Sequence, residues 1–496
     1  MASKLFPFII DLGKGSGFRM QRFKRPLIEA MIQLKETNSI SFHVPGHKNG
    51  MISNLPLDFQ LALRYDFTEL EGLDDLHEPA GVIAEAEQKL ADLYGAEQSF
   101  FLVNGSTVGN LAMIYATCQK GDTVIVQRNA HKSIFHALEL TGADPVFVSP
   151  AWDSKKMAAS MVASTDIQQA IEEYPTAKAV ILTYPTYYGQ TGTDLQKIIK
   201  LAHAANIPVL VDEAHGAHFV VGTAFPTSAL ALGADVVVHS AHKTLPAMTQ
   251  ASFLHIRSKL ISAEKIMHYL QMLQSSSPSY LLMASLDDAR AYAEAYTIED
   301  QQYFMKERMR FIEQLQGVSK LEVVESDDPL KLLLRIEGYS GFNLQKQLEK
   351  TGVFTELADP YQVLLVLPLL KLNAENRFHE AGEKIKLAVA AITRNERTQF
   401  EVLPSIDQGI SRLTIGFSQL HDMEKEWIHY ESAVGRIAAG SIIPYPPGIP
   451  LVIAGEQVTV AHVQALRQYL QMRAKFQGAI EVDQSKIFVV KERTEE

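Results

Sequence analysis

Residues 208–216 read Pro-Val-Leu-Val-Asp-Glu-Ala-His-Gly, and residues 234–244 read Ala-Asp-Val-Val-Val-His-Ser-Ala-His-Lys-Thr. Each is a β-branched apolar run that stops at residues able to do chemistry. A run apolar at successive positions has no solvent face, so it reads as a strand covered on both sides. The pattern recurs upstream at 99–103, 122–126, 145–148 and 179–183. Helix-compatible stretches lie among these runs, at 83–93, 110–118 and 194–205. This alternation predicts an α/β fold with a mostly parallel sheet and helices on both faces.

Beyond about residue 255 the pattern changes. A long helical stretch at 292–316 precedes strands at 331–336 and 361–367, with a helix at 343–351 between them, which predicts a smaller α+β domain. A Pro-rich turn at 444–448 introduces the last segment, with a helix at 461–476. The expected division is an N-terminal arm (1–60), a large domain (61–315), a small α+β domain (316–400) and a C-terminal domain (401–496).

Composition narrows the function class. The 496 residues are 47% hydrophobic and 21% charged, which excludes a disordered chain. Net charge is −11, which disfavours nucleic-acid binding, and no apolar run approaches the ~20 residues of a membrane span. A single cysteine, Cys118, excludes an intrachain disulfide framework and fits a reducing cytoplasm. Residues 1–25 are basic, and the apolar stretch at 5–10 is short and contains Pro7, so a poorly ordered arm is expected there.

Open parallel sheets bind ligands beyond the carboxyl ends of their strands, and three such ends are chemically loaded. Asn104-Gly105-Ser106-Thr107-Val108-Gly109-Asn110 follows a strand and opens a helix, where small residues and the hydroxyls of Ser106 and Thr107 suit an anion. It lacks the Gly-Lys-Ser/Thr ending of a Walker A loop, and taken alone it reads more readily as a simple connection. Asp212 is either a turn cap or a buried carboxylate that needs a cationic ligand nitrogen. Lys243, 31 residues further on, is either a surface lysine at a strand end or a desolvated amine suited to Schiff-base chemistry. Taken together, a phosphate cradle, an acid for a pyridinium and an amine for an aldehyde are the three demands of pyridoxal 5′-phosphate (PLP).

Ser240-Ala241-His242-Lys243, Asp212-Glu213-Ala214-His215-Gly216 and Asn129-Ala130-His131-Lys132-Ser133 resemble motifs of the ornithine/lysine/arginine decarboxylases, fold-type I PLP enzymes. Phe42-His43-Val44-Pro45-Gly46-His47-Lys48 and Leu73-Asp74-Asp75-Leu76-His77 resemble that family's N-terminal motifs. Pro444-Tyr445-Pro446-Pro447-Gly448-Ile449-Pro450 with Gly455-Glu456 resembles its C-terminal one. The resemblance implies an aspartate aminotransferase-like large domain and covalent attachment of PLP to Lys243. It implies Asp212 at the pyridine nitrogen, His131 on one ring face and Ala214 on the other. Ser106, Thr107, Ser240 and His242 would surround the phosphate, with His215 among the cofactor contacts.

The implied activity is decarboxylation of a basic L-amino acid, with arginine to agmatine favoured because the short form resembles biosynthetic arginine decarboxylases. Lysine or ornithine decarboxylation, aminotransfer, and a PLP-binding regulatory role stay open. Asp74, Asp75, Glu78 and Glu356 are candidates for the distal cation of the substrate, each more readily read as an ordinary surface or capping acid. His215 and His218 lack a third ligand, so no metal is expected. Family resemblance further implies a homodimer or higher homo-oligomer with shared sites, no regulatory wing, and neither a nucleic-acid nor a membrane partner. Two departures stand out: Pro246 follows the lysine closely, and Ser279 stands where the family commonly has His.

Overall fold

The computed structural model describes residues 23–392, 409–445 and 448–492. Most of the basic arm, and Pro446 and Pro447 of the C-terminal motif, lie outside the described residues. An eight-stranded sheet dominates, in the spatial order Gln98–Leu102, Ser252–Ile256, Val236–His239, Val209–Asp212, Val180–Thr183, Thr123–Gln127, Asp144–Val148 and Ile410–Arg412. Five neighbours, from Val236–His239 to Asp144–Val148, run parallel. The remaining pairings are antiparallel. The parallel strands are buried at nearly every position, because helices cover both faces. The α/β reading with a mostly parallel sheet therefore holds.

The antiparallel strand Ser252–Ile256 was not legible as part of this sheet. It is as apolar as its parallel neighbours, and direction leaves no trace in periodicity. A second difference concerns the helical stretch at 292–316. It is two helices, Tyr280–Glu294 and Ile298–Gln316, because Thr297 and Asp300 form a reciprocal capping box that starts the second.

Beyond the main sheet, Leu321–Glu325, Lys331–Ile336, Val363–Val366 and Leu357–Ala358 form a four-stranded antiparallel sheet with helices Gly341–Lys350 and Phe378–Ala390 nearby. Lys425–His429, Lys486–Val490 and Ile480–Glu481 make a three-stranded sheet near the C-terminus, accompanied by helix Val460–Gln471. That helix ends five residues short of the expected 476, where the chain turns into strand Phe476–Gly478.

Helix Gly105–Thr117 sets the depth of the crevice. It begins five residues earlier than the expected 110, so Ser106 and Thr107 occupy its first turn. Gly109 lets it lie close on the sheet, since a Cβ there would come within 2.8 Å of both Leu102 and Val238 side chains. Gly109→Val should therefore cost about 1–3 kcal/mol of stability through overpacking, measured by urea unfolding.

Glu87 on helix Val82–Tyr94 is buried and accepts a hydrogen bond from the Phe101 amide at 2.8 Å. Burial pushes its carboxyl up to about 8. The folded state then holds a proton that the unfolded state releases near pH 4.5, so this group's contribution falls as pH rises from there toward 8. Glu87→Gln should match wild type near pH 5 and exceed it near pH 8 by about 1 kcal/mol or more, measured by denaturant unfolding at both pH values.

Candidate active site

Strands Val209–Asp212 and Val236–His239 are paired in parallel with Asp212 opposite Val238. Their carboxyl ends thus bring Asp212 beside the turn that carries Ser240, His242 and Lys243. Helix Gly105–Thr117 points its N-terminus at the same place. Ser240 Oγ donates to Ser106 Oγ at 2.8 Å, which joins two of the predicted segments directly. Gly105 holds φ +75 with open space where a Cβ would be, and Asn104 makes no side-chain cap, so the first amides of the helix stay available. Thr107 is exposed at this mouth.

Asp212 is buried, and its oxygens accept from neutral donors: the Asn110 amide at 3.0 Å and the Ala214 N–H at 3.2 Å. Burial pushes its carboxyl up, while the Lys243 amine and the Asn110 bond pull it down. Asn110 also donates to Ser133 Oγ at 2.9 Å, and that hydroxyl lies 2.9 Å from His131 Nδ1. The Ser133 amide donates to the same nitrogen at 3.3 Å, so Nδ1 is an acceptor and the neutral ring carries its proton on Nε2. Burial, with Lys243 and Lys132 nearby, lowers His131 to about 3 and keeps it uncharged.

Lys243 Nζ lies 3.0 Å from His215 Nε2 and 5.1 Å from the Tyr187 ring centre. Burial pulls its ammonium down, opposed by Asp212 and Glu356. His242 Nδ1 donates to the Ala251 carbonyl at 3.0 Å, leaving Nε2 free in the neutral ring. The other face of His215 meets a residue the sequence reading passed over: Lys331 Nζ lies 3.0 Å from Nδ1. Its signal was a lysine heading the apolar strand Lys331–Ile336. Asn110, a polar residue on an otherwise apolar helix and four residues after Ser106, was the other signal missed.

The acids proposed for the substrate fall in different places. Asp74 accepts backbone N–H bonds from Asp75, Ala80, Gly81, Ile83 and Ala84, which makes it the cap of helix Val82–Tyr94. Asp75 accepts from the His77 amide at 2.8 Å, and Glu78 is exposed. Glu356 alone among the four acts electrostatically on Lys243, Lys331 and His242. His218 does not join His215; it pairs with buried Asp328 at 2.9 Å. Among the described residues no cluster is suited to hold a metal ion. Ser279, where the family commonly has His, accepts from the Leu282 amide and caps helix Tyr280–Glu294.

The C-terminal motif closes over His131. A Cβ at Gly448 would lie 3.5 Å from His131 Cδ2, the Lys132 amide donates to the Gly448 carbonyl, and the Lys132 ammonium sits over the Tyr445 ring. Arg128 fastens this region, donating to Glu456 at 2.9 Å and to the Pro450 and Leu451 carbonyls.

Residues 25–332 match the family model "Orn/Lys/Arg decarboxylase, major domain", and residues 408–480 match that family's C-terminal domain. The chain belongs to the Orn/Lys/Arg decarboxylase family. As a member of it, the protein is a PLP-dependent amino-acid decarboxylase. It is 47% identical over 479 residues to the uncharacterized protein YaaO of Bacillus subtilis, covering 94% of this chain and 98% of that one. To an arginine decarboxylase of Bacillus anthracis it is 32% identical over 499 residues, covering 96% and 99%. The constitutive lysine decarboxylase of E. coli has a similar fold, with TM-score 0.78 at 19% identity, covering 94% of this chain and 82% of that one.

The residues present fit PLP. Asp212 is a buried carboxylate bonded only to neutral donors and so suits a protonated ring nitrogen, while the paired hydroxyls and uncapped helix start suit a phosphate. The Arg128–Glu456 pair is nearly buried, so Glu456→Gln leaves the guanidinium without its counter-charge. Hydrogen exchange should quicken at 128–132 and 448–458 in that variant, and wild-type protection there would contradict the fastening role.

Proposed function

We propose that the chain decarboxylates L-arginine, taking up one proton to form agmatine and CO₂. The observation that carries this choice is the match to arginine decarboxylases of Bacillus at 32% identity along almost the whole of both chains. Matches to lysine decarboxylases are weaker, at 25% identity or below.

Bound here, PLP would supply the electron sink for the pair left on Cα when the carboxylate departs. Ser106, Thr107, Ser240 and His242 would bind its phosphate, and Asp212 would hold the proton at its ring nitrogen. His131, kept uncharged, and Ala214 would pack against its ring. Lys243 would be the amine that holds the cofactor and would carry a proton to Cα, with His242 Nε2 as the second candidate for that transfer. Burial of this crevice favours departure of the carboxylate, because its charge is poorly solvated there. Glu356 receives the guanidinium of the substrate. Its two oxygens match that planar fork better than a single ammonium.

A second copy of the chain completes this reading. Between residues 40 and 61 the large apolar side chains are exposed, Phe42 at 93% and Met51 at 82% among them. So many exposed large apolar side chains in one segment suit burial against a homodimeric partner. The division into arm (1–60), large (61–315), small (316–400) and C-terminal (401–496) domains, and a cytoplasmic location, belong to the same proposal.

Arginine, lysine and ornithine offered in parallel with PLP, with CO₂ and amine detected, test the substrate. Arginine should exceed the others in kcat/KM at least tenfold, and a preference for lysine or ornithine would overturn the choice. Glu356→Gln should raise KM for arginine about tenfold or more while kcat changes less, because a charge-assisted contact is worth roughly 1.5–3 kcal/mol. Lys243→Ala should abolish turnover and the borohydride-trappable cofactor together.

A further inference from the structure

The loop that leaves strand Val180–Thr183 carries two adjacent tyrosines that the reading above does not use. The Tyr187 ring faces the crevice, its centre 4.5 Å from that of the His215 ring and 5.1 Å from the Lys243 amine. Tyr187 and Tyr188 both pack against Val324, Leu333, Leu357 and Leu364 of the four-stranded sheet. The loop fits that sheet closely. A Cβ at Gly189, where φ is +79, would come within 2.7 Å of the Lys331 side chain and 2.9 Å of Ser326. Ser326 Oγ donates to the Tyr188 carbonyl, and the Asp328 amide donates to the Gly189 carbonyl at 3.0 Å.

Facing this loop is a hairpin. Strands Leu357–Ala358 and Val363–Val366 pair antiparallel, and Glu356 enters the first of them with its amide donating to the Leu364 carbonyl at 2.9 Å. The turn between the strands is built on Asp359, whose Oδ1 accepts from the Tyr361 and Gln362 amides at 2.6 and 2.9 Å. Its other oxygen, Oδ2, accepts from the Tyr188 hydroxyl at 2.6 Å. Asp359 is buried, and burial pushes its carboxyl up to about 6 against the pull of these bonds. At neutral pH the acid is therefore ionised and the Tyr188 bond is charge-assisted. One strong bond thus joins the segment of Tyr187 to that of Glu356, one residue from the first and three from the second. Glu356 in turn acts electrostatically on Tyr187, His242 and Lys243.

We propose that Tyr188 and Asp359 are positioning residues whose bond sets the separation of Glu356 from the Lys243 amine, and with it the length of cationic side chain that the crevice accepts. A basic amino acid is held at both ends, its α-amino group where the Lys243 amine lies and its distal cation at Glu356. Lys243 follows a strand of the large sheet, whereas Glu356 precedes a strand of the four-stranded sheet, so no strand register fixes the distance between them. The Tyr188–Asp359 bond spans that seam beside the crevice. Loosened, it lets the hairpin shift, and a misplaced acceptor binds the correct substrate less well and a longer one no worse. The inference rests on Glu356 receiving the guanidinium.

The test compares L-arginine with L-homoarginine, one methylene longer, on the PLP-loaded enzyme. Wild type should prefer arginine in kcat/KM by about tenfold or more, the usual worth of a methylene. Tyr188→Phe removes one hydroxyl, and the preference should fall about threefold or more through KM for arginine, with kcat changing less. Binding of agmatine, read by calorimetry, should weaken in step. Asp359→Asn keeps an acceptor for the two turn amides but takes the charge out of the Tyr188 bond, and it should move the preference the same way. Borohydride-trapped PLP at the wild-type level shows that each variant retains its site. In a Glu356→Gln background Tyr188→Phe should add less than about twofold, because its effect acts through Glu356. An unchanged preference in both variants, or an equal loss with and without Glu356, overturns the proposal. A wild-type KM for arginine in Glu356→Gln alone would overturn the substrate reading beneath it instead.

Discussion

Asp212 is a carboxylate with almost no access to water, placed where two buried parallel strands end side by side. Much of the site follows from that desolvation. A buried charge without an opposite partner is costly, so Asp212 takes neutral donors from Asn110 and Ala214 and remains suited to a cationic ring nitrogen. The same burial depresses Lys243, His131 and His215, shifting each toward its uncharged form. A crevice able to hold PLP and break a Cα–carboxylate bond needs those protonation states before any ligand arrives.

Two rows of polar contacts distribute the consequences. One runs from Asp212 through Asn110 and Ser133 to His131, tying the buried acid to the imidazole ring. The other runs from Lys243 through His215 to Lys331, on the neighbouring four-stranded sheet. The first row links strand, helix and loop within the large sheet's layers. The second ties Lys243, at the end of the large sheet, to a residue of a different sheet. Arg128 and Glu456 supply the third boundary, since they hold the C-terminal motif against His131.

The parallel strands, and the candidate residues at the ends of three strands of the sheet, were legible from residue types alone. A run such as Val209–Asp212 announces burial on both faces, and its terminal carboxylate then has to be explained. Other features were not legible, for identifiable reasons. Strand Ser252–Ile256 shares the composition of its neighbours while running the opposite way. Asp74 looked like a substrate acid, yet it spends its oxygens on five backbone amides, a role set by the local turn. Lys331 lies 88 residues from Lys243 in sequence, and no spacing rule joins them.

The amino-acid sequence by itself determined the α/β class and the family, and it singled out Ser106, Asp212 and Lys243 as a proposed cofactor-binding trio, because each rests on local pattern and on residues adjacent along the chain. Only the tertiary structure decided which acid among Asp74, Asp75, Glu78 and Glu356 lies near the amine. It alone brought Asn110 under Asp212 and placed His215 between two lysines. Those relations depend on distances between segments that meet only when separate strands and helices pack, and desolvation, which sets the charges, does not exist until they do.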